Sequence, residues 1–203
     1  AQERLLHDAV HDNLTSLPNR ELFLDRLGTA LARTQADGQS RPSLFIIDLD
    51  RFRQVNESLG LSTGDSILLS VARRLGRLIK PVDTLSRLEG DKFGVVLVSE
   101  QASDRLAAFA DSIKRAVRSP IAVGEREIFL TASIGIAVSD GELREPATLL
   151  QDAEIALTYA KRLGGDRIET FRSALRILSG DMASFEQDLG RAIEREELQV
   201  LYQ

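Results

Sequence analysis

Apolar positions along the chain switch between two rhythms, and the switches divide it into elements. Leu22, Leu24, Leu27, Ala30 and Leu31 recur at roughly helical spacing. They follow Pro18-Asn19, where the proline marks a turn and the asparagine is placed to cap a helix. After a polar loop over 35–43 comes the unbroken run Leu44-Phe45-Ile46-Ile47, as expected of a central strand buried on both faces. Ile67, Leu68, Val71, Leu75 and Leu78 predict an amphipathic helix that opens at Gly64-Asp65. From Thr84 to Val98 two short apolar runs flank the polar turn Glu89-Gly90-Asp91-Lys92, which is a β-hairpin pattern. Leu106, Phe109, Ala110, Ile113 and Val117 predict a helix over 102–118, and residues 120–131 read as a second hairpin about Gly124-Glu125. Ala132–Val138 is a further strand. Pro146 then opens a helix where its missing N–H costs little, and that helix runs through Ala153, Ala156, Leu157 and Ala160. Arg167–Phe171 is a last strand. Helical spacing resumes from Leu175 to Glu197, and 198–203 alternate like a strand. Strands alternating with helices, with hairpins inserted, predict an α/β or α+β architecture.

Composition narrows this picture only a little. A chain of 203 residues holds one domain with a good core plus a tail. Hydrophobic and charged contents of 43% and 28% are those of an ordinary globular protein. The net charge of −5 argues against nucleic acid held on a basic face. The absence of cysteine removes disulfides and thiolate metal sites, as fits a reducing compartment. No apolar run approaches the roughly 20 residues of a membrane helix. The expectation is therefore a cytoplasmic domain, a fragment of a longer protein whose membrane anchoring is left open.

The candidate chemistry lies at polar breaks in the pattern. Asp48-Leu49-Asp50 ends a strand, where carboxylates serve either as ligands for a hard cation such as Mg²⁺ or as caps of the next turn. Asp91 puts another carboxylate at the hairpin tip, and Gly90 beside it accepts φ > 0 and close approach of a ligand. Asp65 is a first-turn acid that faces the helix dipole. His7 and His11, four apart, share a helix face; a solvated helix end is the favoured reading over a metal pair. No glycine-rich phosphate loop or Gly-x-Gly-x-x-Gly is present, which argues against an ordinary βαβ nucleotide binder.

Several of these segments together resemble the GGDEF family of diguanylate cyclase domains, which condense two GTP into cyclic di-GMP. Asp12-Asn-Leu-Thr-Ser-Leu-Pro-Asn-Arg20 is similar to the family's opening motif nearly residue for residue, and 48–56 resembles its Asp-x-Asp-x-Phe-Lys-x-x-Asn. Ser133-Ile-Gly135, and the helix carrying Lys161, also have family counterparts. The resemblance covers residues 8–171. It implies an α+β palm-like fold, with a central, mainly antiparallel five-stranded sheet wrapped by helices. It also implies roles: Asp48, the Leu49 carbonyl and Asp91 for metal, Asn56 and Asp65 for guanine, Arg53 and Lys161 for phosphate. Residues 1–11 are then the end of an incoming helix and 12–172 the GGDEF-like domain. Residues 173–203 form a linker helix and the start of a truncated EAL domain, because 185–203 resemble the opening of that cyclic di-GMP phosphodiesterase fold.

The hairpin departs from the family's Gly-Gly-(Asp/Glu)-Glu-Phe. Here it reads Glu89, Gly90, Asp91, Lys92, Phe93. A carboxylate at 89 crowds and repels phosphates. An ammonium at 92 reverses the charge beside a metal, which at 4 Å and an effective dielectric near 20 costs about 4 kcal/mol per unit charge. Lys92 is expected to pair with Asp48 or Asp91 and so stand in part for the ion. Gly165 occupies the place of a phosphate-binding Arg, with Arg162 and Arg167 nearby. Lys80 replaces the Arg of the product-inhibition motif, which leaves the Lys80–Asp83 site without a guanidinium fork for guanine. The expectation is a catalytically degenerate domain with Mg²⁺ weak and not required. It would act as a regulatory or GTP-sensing module for the downstream EAL domain, with GTP, cyclic di-GMP and a second copy as partners. The alternative is a weak but genuine cyclase.

Overall fold

The computed structural model describes residues 2–194. They form seven helices and seven strands in the order α1 (Gln2–Val10), α2 (Arg20–Asp37), β1 (Ser43–Leu49), α3 (Phe52–Leu59), α4 (Leu61–Gly76), β2 (Thr84–Glu89), β3 (Lys92–Leu97), α5 (Ser103–Arg118), β4 (Ile121–Val123), β5 (Arg126–Ile128), β6 (Ala132–Val138), α6 (Pro146–Arg162), β7 (Ile168–Thr170) and α7 (Ser173–Glu194). The chain falls into two compact units, Ala1–Phe171 and Arg172–Gln203. Among its described residues the second unit is the single helix α7. The strand read at 198–203, and with it much of the EAL-like segment, lies outside the described residues. No helix among the described residues is long and apolar enough to cross a membrane.

The first unit is built on a five-stranded sheet of order β2-β3-β1-β6-β7, antiparallel except for the β6–β7 pair. Its architecture is therefore α+β, as the resemblance implied. Because successive side chains of a strand point to opposite faces, β1 serves two cores. Phe45, Ile47 and Leu49 pack with Ile67, Val71, Leu75 of α4 and Ala110, Ile113 of α5. Leu44 and Ile46 pack with Phe23, Leu27 of α2 and Ala153, Leu157 of α6. That is the physical reason for the unbroken apolar run. Gly135 in β6 lets α6 come in against bare backbone: a Cβ there would stand 2.2 Å from the Ala153 carbonyl oxygen. β4 and β5 form a separate two-stranded ribbon.

Two element boundaries differ from the sequence reading. α4 begins at Leu61, so Gly64 and Asp65 sit within its early turns and do not open it. Residues 52–59, read only as a motif, form the helix α3, which buries Phe52. The predicted cap holds, with Asn19 accepting a hydrogen bond from the Leu22 amide.

Candidate nucleotide and metal site

The site grows from the end of β1. β1 pairs with β3 on one side and β6 on the other, which sets Asp48 opposite Lys92 and Ser133. The Leu49 amide donates to the Asp91 carbonyl at 3.3 Å, so the hairpin tip is tied to the strand end. Asp48 and Asp91 thus meet in a poorly solvated place. Burial pushes the Asp48 carboxyl up to about 7, and the negative charge of Asp91 and a hydrogen bond with it add to the rise. Lys161, 3.5 Å away, works in the opposite direction but does not outweigh them.

Asp50, two residues on, has the opposite environment. Burial raises its pKa, but hydrogen bonds outweigh that and hold the carboxyl below its ordinary value. Its oxygens accept from Thr131 Oγ1 and Ser133 Oγ at 2.7 Å, and from Lys161 Nζ and the Asp166 amide at 2.9 Å. Lys161, implied as a phosphate ligand, is therefore already held by two carboxylates. The Asp166 side chain in turn pairs with Lys114 at 3.3 Å and with Arg118. Together these bonds draw the turn after α6 onto the sheet.

The hairpin turn is Gly90-Asp91, flanked by the paired residues Glu89 and Lys92. Lys92 Nζ lies 3.6 Å from Glu89 Oε1. The expected partner of Lys92 was Asp48 or Asp91; its ion pair is with Glu89, because the two flank the same tight turn, while its charge still acts on Asp48 and pulls that carboxyl's pKa down. Arg87 adds a second brace. Its Nε donates to the Gly90 carbonyl at 2.9 Å and its Nη1 to Asp12 at 3.1 Å, while the Arg87 amide donates to the Pro18 carbonyl. Burial raises the Asp12 pKa, but hydrogen bonds from Thr15 and Arg87 outweigh it and lower the value.

Asn56 and Asp65, the residues that the resemblance implies for guanine, sit where α3 meets α4. An ideal Cβ on Gly64 would fall 1.8 Å from Asn56 Oδ1, so the amide lies on the backbone just before the exposed Asp65. Arg53 is turned to solvent and pairs with Glu57 at 2.9 Å. The Lys80–Asp83 segment has a structural role. Asp83 accepts from the Lys80, Val98 and Ser99 amides and from Ser99 Oγ, and Lys80 Nζ reaches Glu100 at 3.2 Å. Arg87 and Thr131 were not assigned roles from the sequence, Ser133 was noted only within a family motif, and Asp50 was read as a cation ligand or a turn cap. The second carboxylate of Asp-x-Asp was the one available signal.

Gly165 has φ +74°, and a Cβ there would stand 3.1 Å from Asp50 Oδ1. A side chain at 165 is thus strained in this backbone and crowds Asp50. Gly165→Arg is expected to cost about 1–2 kcal/mol of stability, of the size of αL strain. Denaturant unfolding measures it, and an unchanged midpoint would show that the turn adapts freely.

Residues 9–167 match the family model described as Diguanylate cyclase, GGDEF domain. The chain belongs to the GGDEF family. It is 34% identical over its whole length to the bifunctional diguanylate cyclase/cyclic di-GMP phosphodiesterase MucR of Pseudomonas aeruginosa, and covers 29% of that protein. Over 159 residues, 78% of the chain, it is 37% identical to the diguanylate cyclase TpbB of the same species, covering 36% of it. The chain therefore spans about a third of the length of these curated relatives. In structure it resembles the isolated GGDEF domain of TpbB, with a TM-score of 0.78 and 34% identity, covering 83% of this chain and 99% of that one. It also resembles DgcB of Caulobacter crescentus, whose coiled coil and GGDEF domain were solved in complex with c-di-GMP. That match has a TM-score of 0.76 and 28% identity and covers 83% of this chain and 89% of the other.

Proposed function

We propose that this GGDEF domain is catalytically degenerate and works in cyclic di-GMP signalling as a guanine-nucleotide-sensing regulator of a downstream EAL domain. The observation that carries the reading is the Glu89–Lys92 pair, which brackets Gly90-Asp91 with two charges of the wrong kind for phosphate and metal. Asn56 beside Asp65 remains suited to the guanine edge. The positive charge of Lys161 is divided between Asp48 and Asp50, which weakens its pull on a phosphate.

The residues fit a divalent cation in part. Asp48 and Asp91 concentrate negative charge that burial makes costly, and a divalent ion completed by nucleotide oxygens relieves that cost. Among the described residues no group of three or more His, Cys, Asp or Glu is arranged to hold a metal. Asp48, Asp91 and the Leu49 carbonyl would hold Mg²⁺ weakly, and the ion would supply charge neutralisation at the phosphates. This chain's own part is then to bind and orient the nucleotide. In the condensing family two facing copies bring two GTP together, so a homodimer belongs to the reading.

The test is direct. Purified protein incubated with GTP and Mg²⁺ or Mn²⁺ is expected to yield no cyclic di-GMP by chromatography. Steady product formation that tracks the protein through purification would favour the second reading, a slow cyclase. The persistence of both Asp48 and Asp91 is what speaks for that alternative.

A further inference from the structure

A cleft of about 770 Å³ opens between α3, the segment 129–131 and the turn that follows α6. Its cations are Arg51 and Lys161, and Gly164 and Gly165 present it with backbone alone. Its one acidic residue is Asp50, whose oxygens are already taken up by four donors. Arg51 stands out here. It is exposed and makes no ion pair or side-chain hydrogen bond among the described residues. It also holds a left-handed conformation, φ 57° and ψ 26°, at the N-cap of α3. That conformation is unfavourable for a residue with a Cβ, and a local cap bond does not compensate it.

We infer that Arg51 is a phosphate-binding residue and that, with Lys161 across the cleft, it forms a clamp for the phosphate chain of a nucleotide. Gly165 lines the same cleft without a side chain, so it takes up none of the space beside Arg51 and Lys161. Arg162 and Arg167 are the other arginines near Gly165 in sequence. Arg167 is engaged by Glu169 at 3.3 Å, and neither residue lines the cleft. A planar guanidinium suits phosphate oxygens bidentately. The first amides of α3, which lack intrahelical acceptors, lie beside it. The inference rests on the nucleotide-binding reading only for the identity of the ligand, because the clamp itself recognises phosphate.

The probe is inorganic tripolyphosphate, titrated calorimetrically in magnesium-free buffer against the wild type, Arg51→Gly, Arg51→Lys and Asn56→Ala. GTP and ATP are titrated in parallel. Arg51→Gly is expected to weaken tripolyphosphate and GTP alike by about tenfold, and Arg51→Lys to recover part of the loss. Asn56→Ala should weaken GTP alone. Arg51→Gly should melt at or above the wild-type temperature, because glycine relieves the left-handed backbone; this separates lost binding from lost fold. Tripolyphosphate binding unchanged by Arg51→Gly, or absent from the wild type at millimolar concentration, overturns the clamp. Tripolyphosphate binding that depends on Arg51, with no preference of the protein for GTP over ATP, upholds the clamp and overturns the guanine reading.

Discussion

Restoring both hairpin positions, Glu89→Gly with Lys92→Glu, is expected to tighten Mg²⁺ or Mn²⁺ binding by two orders of magnitude or more. At position 92 the swap changes the local charge by two units next to Asp48 and Asp91. At 4 Å and an effective dielectric near 20, each unit is worth about 4 kcal/mol, and partial exposure reduces this severalfold. About 2.7 kcal/mol remaining would already be a hundredfold. The single changes should behave differently from the pair. Glu89→Gly alone frees Lys92 from its partner and leaves an unpaired ammonium near the acids, so affinity should stay low. Lys92→Glu alone sets three carboxylates about one turn, and the gain in affinity should come with lost stability. Calorimetric titration of all three variants checks this. Equal metal affinity in the double variant and the wild type would show that the hairpin charges do not govern the site. Adding Gly165→Arg is not the natural next step, given the φ of that residue and the nearness of Asp50. Arg51 is the better place to look for phosphate binding.

Asp48→Asn is expected to stabilise the domain at pH 8 by on the order of 3–4 kcal/mol and to have little effect at pH 4. The carboxyl titrates near 3.8 when unfolded and near 7 when folded, so between these values the folded state binds the extra proton. Stability therefore falls as pH rises through that window and levels off above about 7. The side chain is only 14% exposed, so solvent does little to soften the cost. Asparagine keeps the shape and removes the charge. The same reasoning predicts that Mg²⁺ raises the melting temperature of the wild type at pH 8 and not that of Asp48→Asn. Melting temperatures at pH 4 and pH 8, with and without Mg²⁺, decide it. A variant no more stable than wild type at pH 8 would mean that Asp48 is not held against a charge cost.

Much of the fold was legible because its elements obey simple periods. β1 could be found because two cores draw on one strand, and α6 because Pro146 and its alanine-rich face announce a helix that lies close on β6. α3 was not legible, since eight residues with one buried side chain give too short a pattern. The site was legible as residue types and not as partnerships. Lys92 looked like a stand-in for a metal ion; its charge does act on Asp48, but the two-residue turn makes Glu89 its ion-pair partner. Lys161 looked free for phosphate, yet folding places it between Asp48 and Asp50. Asp83 was read only as part of a product site that had lost its guanidinium, and its bonds to the Val98 and Ser99 amides, which hold the backbone after β3, had no signal in the sequence. In each instance the deciding contact joins segments far apart in sequence or flanking a turn, where one-dimensional spacing carries little information.

The brace formed by Arg87 bears on where this domain can be cut. Its guanidinium is 15% exposed and is neutralised by Asp12, while its Nε grips the carbonyl at the hairpin tip. A boundary drawn after residue 12 would leave a nearly buried cation without its counter-charge, and such a cation is expensive to keep in place. The hairpin would then lose its hold before any residue of the hairpin itself had changed. The smallest autonomous piece of this protein must therefore start upstream of Asp12. Whatever is fused or bound to that leading segment has a mechanical grip on the tip of the β2–β3 hairpin.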